Sequence, residues 1–427
     1  MVIGIGGRLK VSRLTLAASW IILSWASKFS GVAQADTIYG PAPASTGDEG
    51  RTFIPFVSTS AYYNSNLFAL ENNQDAINAL GSTQISDYVM SYSAGLALLD
   101  WKPGRQEFVG HAIINRSLYN TYSQLDNTSR DLALQWNWKL GRIFLGDMGV
   151  TDITQLGNLT YIQQPLNDIF TTRTAYFNGY AKINELWRLN IGSTEGSYSN
   201  SVTSQQLYNL NLNSISGGVQ YLEQTGKEVD WVSTQTNGSY PKLIYNAIVP
   251  VTDKFIQYDN GPKFVWGYSD KTLWLGNLNY TRHISPDDPA QNYSGFTGKL
   301  EMKWALAGKT QLDLSGYRTI APYDTATTGY QVVKGASLVM KWNAVDKIAM
   351  TLRMHSDIID YPLDSSAGSQ FSSPRHDRVN VAGVEMDYQI LRHTSLMLNA
   401  DRGSRSSNTL GWSYTYNDVT LSLEQKF

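Results

Sequence analysis

The sequence predicts an all-β fold: a transmembrane antiparallel up-and-down β-barrel of about 18 strands, preceded by a cleaved N-terminal signal peptide. Three observations predict it. Long segments alternate between apolar and polar residues, an aromatic residue recurs before a short turn about every 40 residues, and the chain begins with an export signal. Together they indicate strands that place one face against lipid.

The N-terminus has the three parts of a secretory signal peptide. Basic residues precede an apolar run from Leu14 to Ala26, and Ala33 and Ala35 form a small-x-small cleavage site. An N-terminal membrane anchor, the alternative, needs a longer apolar run of about 18 to 20 residues. We expect a signal peptide over residues 1–35, a short periplasmic leader rich in Pro, Gly and Ser over 36–50, and the barrel over 51–427.

Aromatic and glycine residues are abundant, and charged residues are few. The chain has 26 Tyr, 12 Trp and 35 Gly, and 16% of its residues are charged, which favours an all-β chain that meets an interface. The absence of Cys excludes a disulfide framework and thiol chemistry. A formal charge of −2 gives no reason to expect a nucleic-acid partner.

The segment GKLEMKWALAGKTQLDLSGY, residues 298–317, contains two alternating runs joined by a Gly-containing turn. Leu300, Met302 and Trp304 share one face of the first run, and Glu301 and Lys303 share the other. Successive side chains of a strand point to opposite faces, so this pattern predicts a β-hairpin. SLVMKWNAVDKIAMTLRMHS and LALQWNWKLGRIFLG repeat the design.

An aromatic residue stands before each predicted short turn, and these residues are spaced by 37 to 46 positions. Each repeat holds two long runs, one short turn and one longer polar loop, the pattern of a transmembrane β-barrel. We expect the aromatic residues to form a girdle at the periplasmic membrane interface. They are Trp101, Trp138, Tyr180, Tyr221, Trp266, Trp304, Trp342, Tyr388 and the terminal Phe427.

A β-propeller shares the repeat length, since one blade takes about 40 to 45 residues. A blade needs four short strands and a motif such as Gly-His…Trp-Asp, and the runs here are two and long. The barrel is therefore the preferred interpretation.

In such a barrel the apolar face of each strand meets lipid and the polar face lines a wet lumen. The same alternation predicts which side chains point inward and are available to a solute or a sugar polymer. These lumen candidates are Glu301, Lys303, Asp313, Tyr317, Arg353, His355, Glu385, Asp387, Tyr414, Tyr416 and Glu424.

Eight short turns imply sixteen flanking strands, and an opening strand near residues 51–63 and the final strand make eighteen. Even parity returns both termini to the periplasm. Sixteen strands is the open alternative, because Pro241, Pro250 and Pro262 interrupt the pattern over residues 241–262.

The terminal strand alternates, with Val419, Leu421 and Leu423 on one face, and ends in Phe427. It resembles the C-terminal signal by which outer-membrane barrels are recognised for insertion. We therefore expect the barrel-assembly machinery and outer-membrane lipid as partners, in a Gram-negative bacterium.

Catalytic, cofactor and metal motifs are not found. No zinc-type His or Cys spacing and no Gly-rich phosphate loop in a strand–helix context occurs. His355, beside Arg353 and Asp357, is the best candidate for a barrel hydrolase, the less favoured alternative. A solvated channel-lining His is the more ordinary interpretation, so we expect no enzyme activity and no cofactor.

Several short stretches resemble the EpsL-type proteins, a family of β-barrel porins encoded in exopolysaccharide biosynthesis operons. They are YNSNLFAL, NRSLYN, NGSYP, WALAGKTQLDLSGY and RSSN, in order along most of the chain. The family tends to have Asp-Asn-Leu-Phe-Arg in the first motif, where this chain has Ser65 and Ala69 in place of the acid and the base. A ligand role for that motif is not carried over.

The resemblance implies a passive conduit that moves an exopolysaccharide across the outer membrane, with the polymer and periplasmic or inner-membrane export components as partners. A general or nutrient-uptake porin is the alternative. That alternative predicts an open pore for small solutes, whereas the conduit predicts loss of secreted polymer when the gene is deleted.

Overall fold

A computed structural model of the chain describes residues 52–223, 227–243, 253–287, 289–322, 330–362 and 374–427. The predicted signal peptide (residues 1–35) and leader (36–50) lie outside the described residues.

The chain forms one closed antiparallel sheet of 18 strands, each paired with its neighbours in sequence. The first strand pairs with both the second and the last, and this closes the barrel. The predicted fold class and strand number are confirmed, and the sixteen-strand alternative is wrong. The strands are β1 (Phe53–Asn64), β2 (Asp87–Trp101), β3 (Glu107–Tyr119), β4 (Asn127–Leu140), β5 (Phe144–Leu156), β6 (Ile169–Lys182), β7 (Trp187–Asn200), β8 (Leu210–Leu222), β9 (Glu228–Ser239), β10 (Lys254–Ser269), β11 (Thr272–Ile284), β12 (Tyr293–Ala307), β13 (Thr310–Pro322), β14 (Tyr330–Val345), β15 (Ile348–Tyr361), β16 (Arg375–Leu391), β17 (Thr394–Ser407) and β18 (Tyr414–Lys426).

Short turns join the strands at the periplasmic end, and longer loops join them at the extracellular end. In several hairpins the register shifts next to the turn, as between Ala305 and Ala307, which tightens the local twist. The turn after β4 contains Gly141 at φ +60°, a left-handed conformation that glycine adopts at little steric cost. The extracellular loops used below are L1 (residues 65–86), L2 (120–126), L3 (157–168) and L9 (408–413).

In the described part of the chain, two α-helices lie in L1 and L3, α1 (Asn73–Leu80) and α2 (Leu159–Ile162), and three short 3-10 turns lie at Ser123–Leu125, Gln206–Tyr208 and Pro289–Gln291. Asn72 caps α1, because its side-chain oxygen accepts from the backbone N–H groups of Gln74 and Asp75 at 2.9 and 3.0 Å. Gly81 ends the helix in the left-handed region, at φ +68°. None of the helices in the described residues is long and apolar enough to cross a membrane.

The outer surface of the barrel is apolar over its middle and its periplasmic half. On β12, Leu300 and Trp304 are 47% and 37% exposed, while Glu301 and Lys303 point inward, as the alternation predicts. A closed barrel leaves no backbone edge unpaired, so it is stable in hydrocarbon. The protein is an outer-membrane β-barrel of a Gram-negative bacterium.

The facing of β12 gives a stability prediction. Leu300 lies midway between Phe296 and Trp304 on the lipid face, so Leu300→Arg places a charge near the bilayer midplane. We expect it to lower the free energy of unfolding by about 2–4 kcal/mol, measured by urea titration of the barrel in lipid vesicles. The control Gln311→Arg adds the same group to the lumen face and should cost far less. Equal losses in the two variants would contradict the assigned faces.

Candidate channel lumen and its extracellular mouth

The structure places all eleven lumen candidates on the inner face of the barrel. They lie on five neighbouring strands (β12, β13, β15, β16 and β18, with β14 and β17 between), and their cross-strand partners also point inward. Their contact with a solute stays a prediction. The set is Glu301, Lys303, Asp313, Tyr317, Arg353, His355, Glu385, Asp387, Tyr414, Tyr416 and Glu424.

Arg353 is at the centre of a polar network that crosses three strands. Its Nη1 lies 2.6 Å from Glu385 Oε2 on β16, and its Nη2 lies 3.4 Å from Asp401 Oδ2 on β17. Asn399 accepts from the same guanidinium and donates to Asp401 at 2.5 Å. Because the donors of Arg353 have partners in the wall, this residue stabilises the barrel as well as charging the lumen.

Tyr317 does not stand free in the channel. Its hydroxyl donates to Asp357 Oδ1 at 2.5 Å, linking β13 to β15 across β14. A Cβ at Gly335, the cross-strand partner of Tyr317, would lie 2.6 Å from the tyrosine ring. The ring therefore lies flat against the wall over a glycine.

This aromatic–glycine pairing recurs around the barrel and was not predicted from the sequence. In each pair a ring covers the position where a glycine on the adjacent strand has no side chain, an arrangement that shields the glycine backbone. The lumen then keeps its width, because the rings do not project into it. The inward pairs are Phe56–Gly95, Tyr176–Gly149, Phe255–Gly238, Tyr317–Gly335 and Tyr416–Gly403, and the outward pairs are Trp138–Gly146 and Phe264–Gly276.

Eight of the nine predicted girdle residues lie on the outer face. Trp138 is only 8% exposed, because it packs over Gly146 and stacks on Phe177 at 5.8 Å. The prediction is wrong for Tyr180. Phe177 on the same strand points outward, so Tyr180, three residues later, points inward, and the girdle position next to it belongs to Ala181.

Three extracellular loops pack together over one side of the mouth. Phe68 of L1, fully buried, meets Tyr122 of L2 edge-on at 4.8 Å, and Leu125 and Leu159 complete the apolar cluster. Burial raises the pKa of the Tyr122 hydroxyl, and the nearby Asp87 carboxylate raises that pKa further. The hydroxyl donates to the backbone carbonyl of Gln84, so L1 and L2 are also joined by a hydrogen bond.

L3 extends from this cluster across the mouth. Gln163 donates to the carbonyl oxygens of Ala69 in L1 and Gly411 in L9, at 3.1 Å each. The centre of the Tyr161 ring lies 6.4 Å from the centre of the Trp412 ring in L9 and 5.4 Å from the guanidinium carbon of Arg405 on β17. Between β5, where L3 begins, and β17 lie β4, β3, β2, β1 and β18, so L3 spans a chord of the barrel.

The far end of this chord is a group of arginine and aromatic side chains, which we call the mouth cluster. The Asp377 Oδ2 atom lies 2.6 Å from Arg375 Nη2 and 2.9 Å from Arg405 Nε. Arg405 also donates to the Tyr361 hydroxyl at 3.0 Å. Arg375 lies 3.8 Å from the centre of the Trp412 ring, within cation–π range. The mouth cluster is Tyr161, Tyr361, Arg375, Asp377, Arg405, Trp412 and Tyr414.

A second group of aromatic side chains lies next to the mouth cluster, on β11, β12 and β14, of which β14 pairs with β15. Pairing between β12 and β13 ends at Gly298 and Arg318, whereas β13 stays paired with β14 to its end. Tyr330 at the start of β14 packs on the lumen-facing His283 and Tyr293. The centre of its ring lies 5.1 Å from that of His283 and 6.0 Å from that of Tyr293. The end of the β13–β14 hairpin therefore narrows the mouth beside the mouth cluster.

His355 faces the lumen between Ser337 and Val381 on the adjacent strands. In the described part of the chain, no group of three or more His, Cys, Asp or Glu side chains is arranged to hold a metal ion. The geometry offers hydrogen bonds and mixed charge to a passing solute.

Solved outer-membrane proteins have similar folds at low sequence identity. OccK2 (OpdF) of Pseudomonas aeruginosa has a TM-score of 0.49 and 10% identity over 88% of this chain and 98% of that one. A BenF-like porin from Pseudomonas fluorescens Pf-5 has a TM-score of 0.48 and 10% identity, over 88% and 99%. The outer membrane protein opdK from Pseudomonas aeruginosa has a TM-score of 0.47 and 9% identity, over 88% and 99%.

No family model and no curated protein matches the sequence. The fold therefore rests on the closed strand order itself, and the resemblance to EpsL-type proteins stays a prediction.

The aromatic–glycine pairs can be tested at Gly149. A Cβ there would lie 2.6 Å from the Tyr176 ring and 2.9 Å from the carbonyl oxygen of Leu134, so Gly149→Val overpacks the wall. We expect it to lower the free energy of unfolding by about 1–3 kcal/mol, although valine favours strands. Gly316→Val is the control, because the nearest atom to a Cβ there is 4.0 Å away. A stabilised Gly149→Val barrel in the urea titration would contradict the pairing.

Proposed function

We propose that the protein is a passive porin for small polar solutes. The observation that carries this proposal is a polar lumen of mixed charge beneath a mouth that L3 crosses. A wall of 16 to 18 strands encloses an aqueous channel, so the loops set which solutes enter it. Acid, base and amide groups on the inner face suit neutral or zwitterionic solutes better than a single class of ion.

The contacts of L3 support small solutes over an extended polymer. Tyr161 and Gln163 join L3 to β17, L1 and L9, and the cation on Arg405 is 4% exposed. A polymer would have to keep this set of contacts broken along its whole passage. Small solutes pass beside the loop without that cost.

Exopolysaccharide translocation is the second candidate. It is supported by the sequence stretches that resemble EpsL-type proteins and by tyrosine rings on the lumen wall, which offer flat faces to sugars. In this alternative the export components of the periplasm or inner membrane would displace L3. Insertion through the barrel-assembly machinery, engaged by the C-terminal strand, belongs to both candidates.

The role of the mouth can be measured by liposome swelling and planar-bilayer conductance of the full mature chain. The double variant Tyr161→Ala/Trp412→Ala removes the aromatic contacts between L3, L9 and the two arginines. We expect higher conductance and entry of larger sugars than in the wild type, because L3 loses contacts worth about 0.5–2 kcal/mol each. Trp187→Ala, on the outer face, is the control and should change neither measurement. Unchanged size selection in the double variant would contradict a limiting role for L3.

The two candidate functions are separated in the cell. Deletion of the gene should slow growth on small polar nutrients at limiting concentration and leave the amount of secreted polysaccharide unchanged. Loss of secreted polymer with normal uptake would instead establish the conduit, and it would overturn the porin proposal.

A further inference from the structure

Charged side chains on the outer face of the barrel are confined to its extracellular half. In the described strands the outward residues of the periplasmic half are apolar, aromatic or uncharged. Basic residues predominate among the outward charges. The basic residues are Arg116, Arg130, Arg173, Lys254, Arg282, Arg318, Lys334, Arg378 and Arg402, and the acidic ones are Asp152, Glu195 and Asp360.

The densest group lies on four successive strands, β3 to β6, and we call it the arginine patch: Arg116, Arg130 and Arg173, with Asp152 between Arg130 and Arg173. Arg130 Nη2 lies 3.0 Å from Asp152 Oδ1, and Arg173 Nε lies 2.9 Å from Asp152 Oδ2. The Arg130 and Arg173 side chains are 45% and 64% exposed, so their remaining donors face outward. Arg116 is paired only with the neutral hydroxyl of Thr128, at 3.3 Å, among the described contacts.

Two guanidinium groups therefore share the Asp152 carboxylate and the third, on Arg116, contacts a neutral hydroxyl, so the patch keeps a net positive charge. Like charges held close together on a sheet repel one another, and Asp152 offsets only part of this repulsion, so a bound anion would stabilise the patch. Exposed ion pairs contribute little to the stability of a fold, so folding alone gives little reason for three arginines here.

The height of the patch identifies what touches it. Asp152 is the direct cross-strand partner of Leu132, and Leu132, Leu134 and Val150 are exposed apolar side chains on the lipid face. The arginines thus begin where the apolar surface ends, on the extracellular side. Side chains at this boundary reach lipid head groups, because a long arginine extends from apolar surface to the polar layer.

Guanidinium groups bind phosphate through two parallel hydrogen bonds, which an ammonium group does not form. The lipid that contacts this height on the outside of an outer-membrane barrel is the phosphorylated glycolipid of the outer leaflet. We propose that the arginine patch binds the phosphate groups of that glycolipid and holds a lipid molecule against β3–β6. The site is separate from the lumen and does not depend on the solute that passes.

The test uses the full mature chain in detergent with purified lipid A carrying two phosphates, and retention of bound lipid is measured by native mass spectrometry. Replacing Arg116, Arg130 and Arg173 by Gln should weaken binding at least about tenfold, because the charge-assisted hydrogen bonds to the phosphates are lost. The matched control replaces three exposed basic residues of the periplasmic turns, Arg105, Arg142 and Lys271, by Gln and should bind as the wild type. Heat-dependent mobility on gels confirms that each barrel is folded.

A second set of variants keeps the test decisive. Replacing the same three arginines by Lys retains the charge and the fold but loses the paired hydrogen bonds, so we expect intermediate binding. The proposal is overturned if the Gln variant binds lipid A as tightly as the wild type, or if lipid A without phosphates binds equally well. A wild-type dimer that the Gln variant abolishes, without any change in lipid A binding, would also overturn it and assign the patch to contact between copies.

Discussion

Backbone hydrogen bonding in a medium without water is the constraint on which the rest of the structure depends. An unpaired peptide group in hydrocarbon costs several kcal/mol, so every strand must have two neighbours. β1 satisfies this by pairing with β2 on one side and β18 on the other. In a closed barrel each side chain of a strand faces either lipid or the lumen. Apolar and polar residues therefore alternate with a period of two along the strands.

The same constraint explains which parts of the fold could be predicted from the sequence. Leu300, Met302 and Trp304 reveal their face because alternation is local and repeats on every strand. Tyr180 was misassigned because alignment to a turn does not fix parity, whereas the outward Phe177 on the same strand does. The mouth cluster could not be predicted, because Tyr161 and Trp412 are far apart in sequence and loops have no period to read.

Glycine has a second use in this barrel beyond turns. Where Tyr176 lies over Gly149, the missing side chain makes room for a ring that lies along the wall. A wide barrel has no packed interior to fix its aromatic side chains, so the wall itself must provide the surfaces for them. Composition alone suggests turns and girdles for the abundant Gly and Tyr residues. In the barrel some of them also form the lining of the lumen.

The mouth is held by two unlike interactions, and this bears on how it opens. The apolar cluster around Phe68 is stabilised in proportion to the apolar area it buries. Its contribution therefore falls gradually as that area becomes exposed to water. The buried pair of Asp377 and Arg405 lies within the wall, between β16 and β17, and losing either partner would leave an uncompensated charge at a cost of about 3–5 kcal/mol. L3 touches both, through Leu159 and Tyr161. Displacing L3 would leave this ion pair in place, because both partners belong to barrel strands, and would remove only the apolar area that Leu159 buries and the contact of the Tyr161 ring with Arg405.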